Sequence, residues 1–105
     1  MADTKTEVEI RERIAVKEKF KEPKDYNVVY LNDDVTTFDF VVETLTSIFG
    51  YGRDAAEALT IRVHEEESAV VATLPYEMAE QKGIEVTILA RHNGFPLQVK
   101  VEQSK

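Results

Sequence analysis

Residues 26–41 read YNVVYLNDDVTTFDFV, and the change of character inside this stretch decides the fold. Tyr26 to Leu31 is β-branched and aromatic and reads as a buried strand. It runs into Asn32-Asp33-Asp34, a cluster of turn formers. Thr36, with Asp39 three positions on, predicts a capping-box-like helix start. Val41, Leu45, Ile48 and Phe49 then recur at i, i+4, i+7 and i+8, a helical period that Gly50 ends. A strand that passes into a helix through an acidic turn implies a mixed fold, with polar groups presented at the strand's end.

Further along, Asp54 is expected to cap a second helix with Ala55, Ala58, Leu59 and Val63 on one face, finishing near His64 and the Glu65-Glu66-Glu67 run. Ala69 to Leu74 is a short apolar run and reads as a strand. Pro75 suits the first turn of a third helix, with Met78, Ala79, Val86, Leu89 and Ala90 inward and Gly94 as its stop. Leu97, Val99 and Val101 then alternate with Gln98, Lys100 and Glu102, the period of a half-exposed strand. The order strand, helix, helix, strand, helix, strand predicts an α+β domain: three helices packed on a small, mainly antiparallel, three-stranded sheet. On the N-terminal side, residues 1–22 carry balanced charge and scattered apolar positions (Val8, Ile10, Ile14, Phe20), which predicts a mobile extension before a body at 23–105. The alternative is an amphipathic helix over Val8–Phe20.

The 105 residues suit one small domain, and the formal charge of −7 lies on the body, which disfavours nucleic acid and favours cationic partners. No apolar run is long enough to span a bilayer, and the absence of Cys removes disulfides, thiolate metal sites and cysteine nucleophiles. His64-Glu65-Glu66-Glu67-Ser68 lacks the second His of a zinc helix, Asp34–Asp39 lacks the glycine bend of a calcium loop, and no serine has a nucleophile's setting, so neither a metal site nor an enzyme is expected. The remaining polar set is Asn32, Asp33, Asp34 and His64. Turn chemistry and a helix-end histidine account for these residues in ordinary terms. They also suit a primary ammonium beside an apolar side chain, because that ligand brings three N–H donors and needs carboxylate, amide and imidazole acceptors, with Phe38, Val41, Val63 and Leu97 supplying apolar surface.

Asn32-Asp-Asp-x-Thr36 followed by Phe40-Val41, then Val63-His64, then Ala90-Arg91-x-x-Gly94-x-Pro96-Leu97, resembles the ClpS family of protease adaptors over essentially all of residues 23–105. The resemblance implies an adaptor with no catalysis and no cofactor. Such an adaptor binds proteins with a free N-terminal Leu, Phe, Tyr or Trp and delivers them to a Clp-type AAA+ unfoldase. It further implies that Asn32, Asp33, Asp34 and His64 take the α-amino group and that Thr36 holds the peptide backbone. Phe38, Val41, Thr60, Val63 and Leu97 then line the side-chain pocket, and Glu77 and Lys82 dock on the unfoldase's N-terminal domain. Departures from the family pattern are Thr37 for a usual Pro, Phe38 for a gating Met, Thr60 for a Met, and Glu67 and Ala72 for frequent glycines. A monomer in a bacterial cytoplasm is expected, rather than an organelle stroma, since no Arg-rich leader is seen. The alternative is a similar-fold module of another apparatus, of ubiquitin-ligase recognin or ribosomal-stalk type.

Overall fold

In the computed structural model, residues 24–104 are described. The expected extension over 1–22, its helical alternative and the Pro23 boundary lie outside them. β1 (Asp25–Leu31) leads to α1 (Phe38–Ser47) and α2 (Arg53–Glu66), followed by β2 (Ser68–Pro75), α3 (Tyr76–His92) and β3 (Gln98–Gln103), the expected order. β1 is the central strand of a sheet ordered β2-β1-β3, antiparallel to both neighbours. Its apolar middle explains the position: Val28, Val29 and Tyr30 are all at most 4% exposed, which a strand achieves only when flanked on both sides. Val28 pairs with Ala72 and Val29 with Val70, so Val71 is the extra residue of a β-bulge. Val71 is buried, and its carbonyl accepts the Tyr51 hydroxyl.

Apolar side chains from the sheet and all three helices share one core that includes Val28, Tyr30, Leu45, Val63, Val86 and Leu97. Its polar groups are satisfied. The Thr44 hydroxyl donates to the Val41 carbonyl at 2.8 Å, so Tyr30 Oη donates to Thr44 Oγ1, also at 2.8 Å, and burial pushes the phenol's pKa well up. α1 ends where Gly50 (φ 78°) turns left-handed, with Gly50 N–H donating to the Thr46 carbonyl and Tyr51 N–H to that of Leu45. Gly94 (φ 77°) plays the matching part after α3.

Several local expectations need correction. The cap of α1 is Thr37, whose hydroxyl accepts from Phe40 N–H at 3.2 Å; Thr36 is committed elsewhere. Gly52 caps α2 without a side-chain bond, and Asp54 sits in the first turn. The inward stripe of α2 is Ala56, Thr60 and Val63, leaving Ala55 and Ala58 exposed. The helix is rotated from the expected face because Thr60 hides its hydroxyl by donating to the Ala56 carbonyl at 2.7 Å, which lets a polar residue face the core. Pro75 closes β2 and precedes α3 rather than joining its first turn, and Met78 is 49% exposed, because α3 turns Ala79, Gly83, Val86 and Ala90 to the sheet. Among the described residues no helix is long and apolar enough to cross a membrane.

Candidate functional site

The loop from β1 to α1 is held at both ends. Asn32 N–H donates to the Glu67 carbonyl at 2.7 Å, which ties the exit of β1 to the residue just past α2. Glu67 sits at φ 65°, the one non-glycine with positive φ among the described residues. One residue on, the Asp33 carboxylate organises the turn: Oδ1 accepts Val35 N–H at 2.8 Å and Thr36 N–H at 2.6 Å, and Oδ2 accepts the Thr36 hydroxyl at 2.7 Å. Partial burial works to raise the Asp33 pKa, but the bonds from Thr36 and Val35, with the Arg91 charge, outweigh it and hold the carboxyl below its ordinary 3.8. Thr36 is thereby buried and fixed. Asp34 is exposed, and its carboxylate accepts no hydrogen bond among the described residues. Leu31, Asn32, Asp33, Asp34, Glu67 and Ser68 border an open depression of about 450 Å³. The two adjacent aspartates therefore differ in kind: one builds the loop, the other faces solvent with its acceptors free.

His64 lies in the last turn of α2, three residues before the Glu67 carbonyl that anchors Asn32, so the loop and the imidazole share one helix end. The ring is exposed, and among the described residues neither nitrogen has a hydrogen-bond partner. It does have a neighbour: Phe38, first residue of α1, stacks on it with ring planes 6° apart and centroids 5.8 Å apart. Of the five expected pocket residues, only Phe38 shows appreciable surface, at 37%. Val41, Thr60, Val63 and Leu97 are at most 3% exposed and lie in or against the core. Val41 is one turn along α1 from Phe38, and Thr60 one turn back along α2 from His64, so a buried position lies one turn from each ring of the stack.

Arg91 stands in the last of the sequence motifs, which gives it no role, and the structure makes it a contributor. Its Nη1 donates to the Phe95 and Leu97 carbonyls, both at 2.9 Å, which fixes the turn that delivers Leu97 to the core, while its charge reaches Asp33. The available signal was an arginine in the last turn of a helix, placed to meet free carbonyls. Glu77 is exposed in the first turn of α3, whereas Lys82 is half-buried and donates to the Ile48 carbonyl at the end of α1, 3.0 Å away. Among the described residues no group of three or more His, Asp or Glu side chains is placed to hold a metal ion.

A family profile described as "ATP-dependent Clp protease adaptor protein ClpS" matches residues 21–100. A Treponema denticola protein named ATP-dependent Clp protease adapter protein ClpS is 46% identical over 88 residues, 84% of this chain and 87% of its own. A Wolinella succinogenes protein of the same name is 41% identical over 97 residues, 92% of this chain and 91% of its own. Among solved structures, Agrobacterium tumefaciens ClpS2 bound to L-phenylalaninamide superposes with a TM-score of 0.77 at 36% identity, covering 79% of this chain and all of the other.

Proposed function

The chain belongs to the ClpS family of ATP-dependent Clp protease adaptors, and from that premise we propose that it selects its cargo by a free N-terminal Leu, Phe, Tyr or Trp and passes it to a Clp-type AAA+ unfoldase. The observation that carries this reading is the tie between the Asn32 loop and the end of the helix that bears His64, with the side-chain acceptors of Asn32, Asp34 and His64 unengaged among the described residues. An α-ammonium brings three N–H donors and one positive charge. The Asp34 carboxylate, the Asn32 amide oxygen and a neutral imidazole nitrogen supply three acceptors, one of them charged. Asp33 contributes indirectly, by holding the loop, and the Thr36 hydroxyl keeps a lone pair for the peptide backbone. The cargo's side chain enters beside Phe38, the exposed member of the apolar set, toward Val41, Thr60, Val63 and Leu97. L-Phenylalaninamide, the ligand of the Agrobacterium protein, combines a free α-amine with an aromatic side chain, the chemistry this arrangement fits. On the opposite part of the molecule, α3 presents Glu77 to the unfoldase, with Lys82 bracing the helix against α1. The adaptor works as a monomer in a bacterial cytoplasm.

The test compares one Leu-initiated peptide with its N-acetyl form. Acetylation removes the charge and strands the acceptors, at about 1.5–3 kcal/mol for each charge-assisted bond lost, so affinity falls by at least about 100-fold. Equal binding of the two peptides refutes the reading.

A further inference from the structure

A lone pair on an imidazole nitrogen lies in the ring plane, so a histidine that accepts a hydrogen bond works only while that plane is held. The last torsion of histidine is broad, and acceptor histidines are ordinarily fixed by the other ring nitrogen donating to a carbonyl or carboxylate. Among the described residues His64 has no such partner. What it has is the ring of Phe38, parallel to within 6° in an offset arrangement with a centroid separation of 5.8 Å. Phe38 is itself well placed to hold another group: it is the first residue of α1, directly after the Thr37 cap, and its flat side chain has only two torsions. An unbranched, flexible Met in this place presents no plane.

We infer that Phe38 is a positioning residue for His64, its ring face fixing the imidazole plane so that the acceptor nitrogen stays aimed at the cargo's amine. This rests on the amine-binding reading of His64 and adds to Phe38 a role separate from contact with the cargo's side chain. A ring that must be oriented anew at each encounter binds less tightly, although its acceptor is chemically intact.

The experiment is a double-mutant cycle on the full chain, with Phe38→Leu, His64→Ala and the pair, read by affinity for a free-amine Leu peptide. Phe38→Leu is expected to weaken binding three- to tenfold more with His64 present than without it, any loss of contact with the cargo's side chain being common to both backgrounds. Phe38→Tyr, which keeps the ring face, restores binding to within twofold. In the free protein, the His64 ring protons shift in Phe38→Leu as the ring current of Phe38 is lost, and stay in place in Phe38→Tyr. An equal penalty for Phe38→Leu in both backgrounds, or unmoved His64 resonances, overturns the inference and leaves the amine reading standing. Unchanged affinity in His64→Ala overturns both.

Discussion

Asp33 and Asp34 are adjacent and chemically identical, yet the structure assigns them opposite duties, and replacing each with Ala separates the two. Asp33→Ala removes the acceptor for Val35 N–H, Thr36 N–H and the Thr36 hydroxyl. Bonds to a carboxylate are strong when buried, but this loop is partly exposed, so each is taken at about 0.5–1 kcal/mol, for a total of about 2 kcal/mol. For a domain of this size that lowers the thermal midpoint by about 8–16 °C. Asp34→Ala breaks no bond among the described residues, so its stability stays within about 0.5 kcal/mol of the parent, while peptide affinity falls at least about tenfold. Urea unfolding and peptide titration on both variants read the two effects side by side. The pH dependence has a definite sign: because the Asp33 carboxyl is held below 3.8 in the folded chain, its contribution is complete above that pH and is lost as the pH falls through the folded value. The stability gap between parent and Asp33→Ala therefore narrows in acid. A gap under about 0.5 kcal/mol at neutral pH, or equal destabilisation by the two substitutions, refutes the division of labour.

Glu67→Gly relieves a left-handed residue at the end of α2 and should stabilise the fold by about 0.5–1 kcal/mol in denaturant melts, net of the greater freedom of glycine when unfolded; destabilisation would show that the Glu67 side chain is holding something. Gly83→Ala should also stabilise, by about 0.5–1 kcal/mol, because a Cβ there meets Val99 and Val101 at an ordinary 3.6 Å while removing helix-interior glycine; a lower melting point would contradict that packing. Thr60→Met places a long side chain at a fully buried position, which should cost about 1–3 kcal/mol of stability and weaken Phe- and Tyr-initiated peptides more than Leu-initiated ones. An unchanged rank order among those peptides removes Thr60 from the pocket.

The strand Tyr26–Leu31 and the glycine stops at Gly50 and Gly94 were legible because each depends on a local rule, apolar β-branched runs in one case and left-handed turns in the other. The inward face of α2 was not, since Thr60 is read as polar until its hydroxyl is seen closing on Ala56. Nor was the cap of α1: the spacing of Thr36 and Asp39 points to Thr36, whereas Thr37 caps the helix because Asp33 has already engaged Thr36. Met78 misled for another reason, because a small-residue stripe of Ala79, Gly83 and Ala90 brings α3 onto the sheet and leaves the larger side chain outside. At the site, the acidic turn after a strand was visible, but the difference between Asp33 and Asp34 and the stacking of Phe38 on His64 are properties of three-dimensional placement.

The central place of β1 also has a mechanical side. All seven of its residues pair with β2 and six pair with β3, and Ser104 N–H adds a further bond to the Asp25 carbonyl. Tension applied at Lys24 along the strand axis loads both ladders in shear, so the bonds on the two sides share the force. Each edge strand, gripped on one side only, is held by a single ladder. The point where residues 1–23 join the domain is thus its strongest attachment to an outside pull, and the loop of Asn32 to Thr36, at the far end of the same strand, is the last part of β1 that such a pull would disturb.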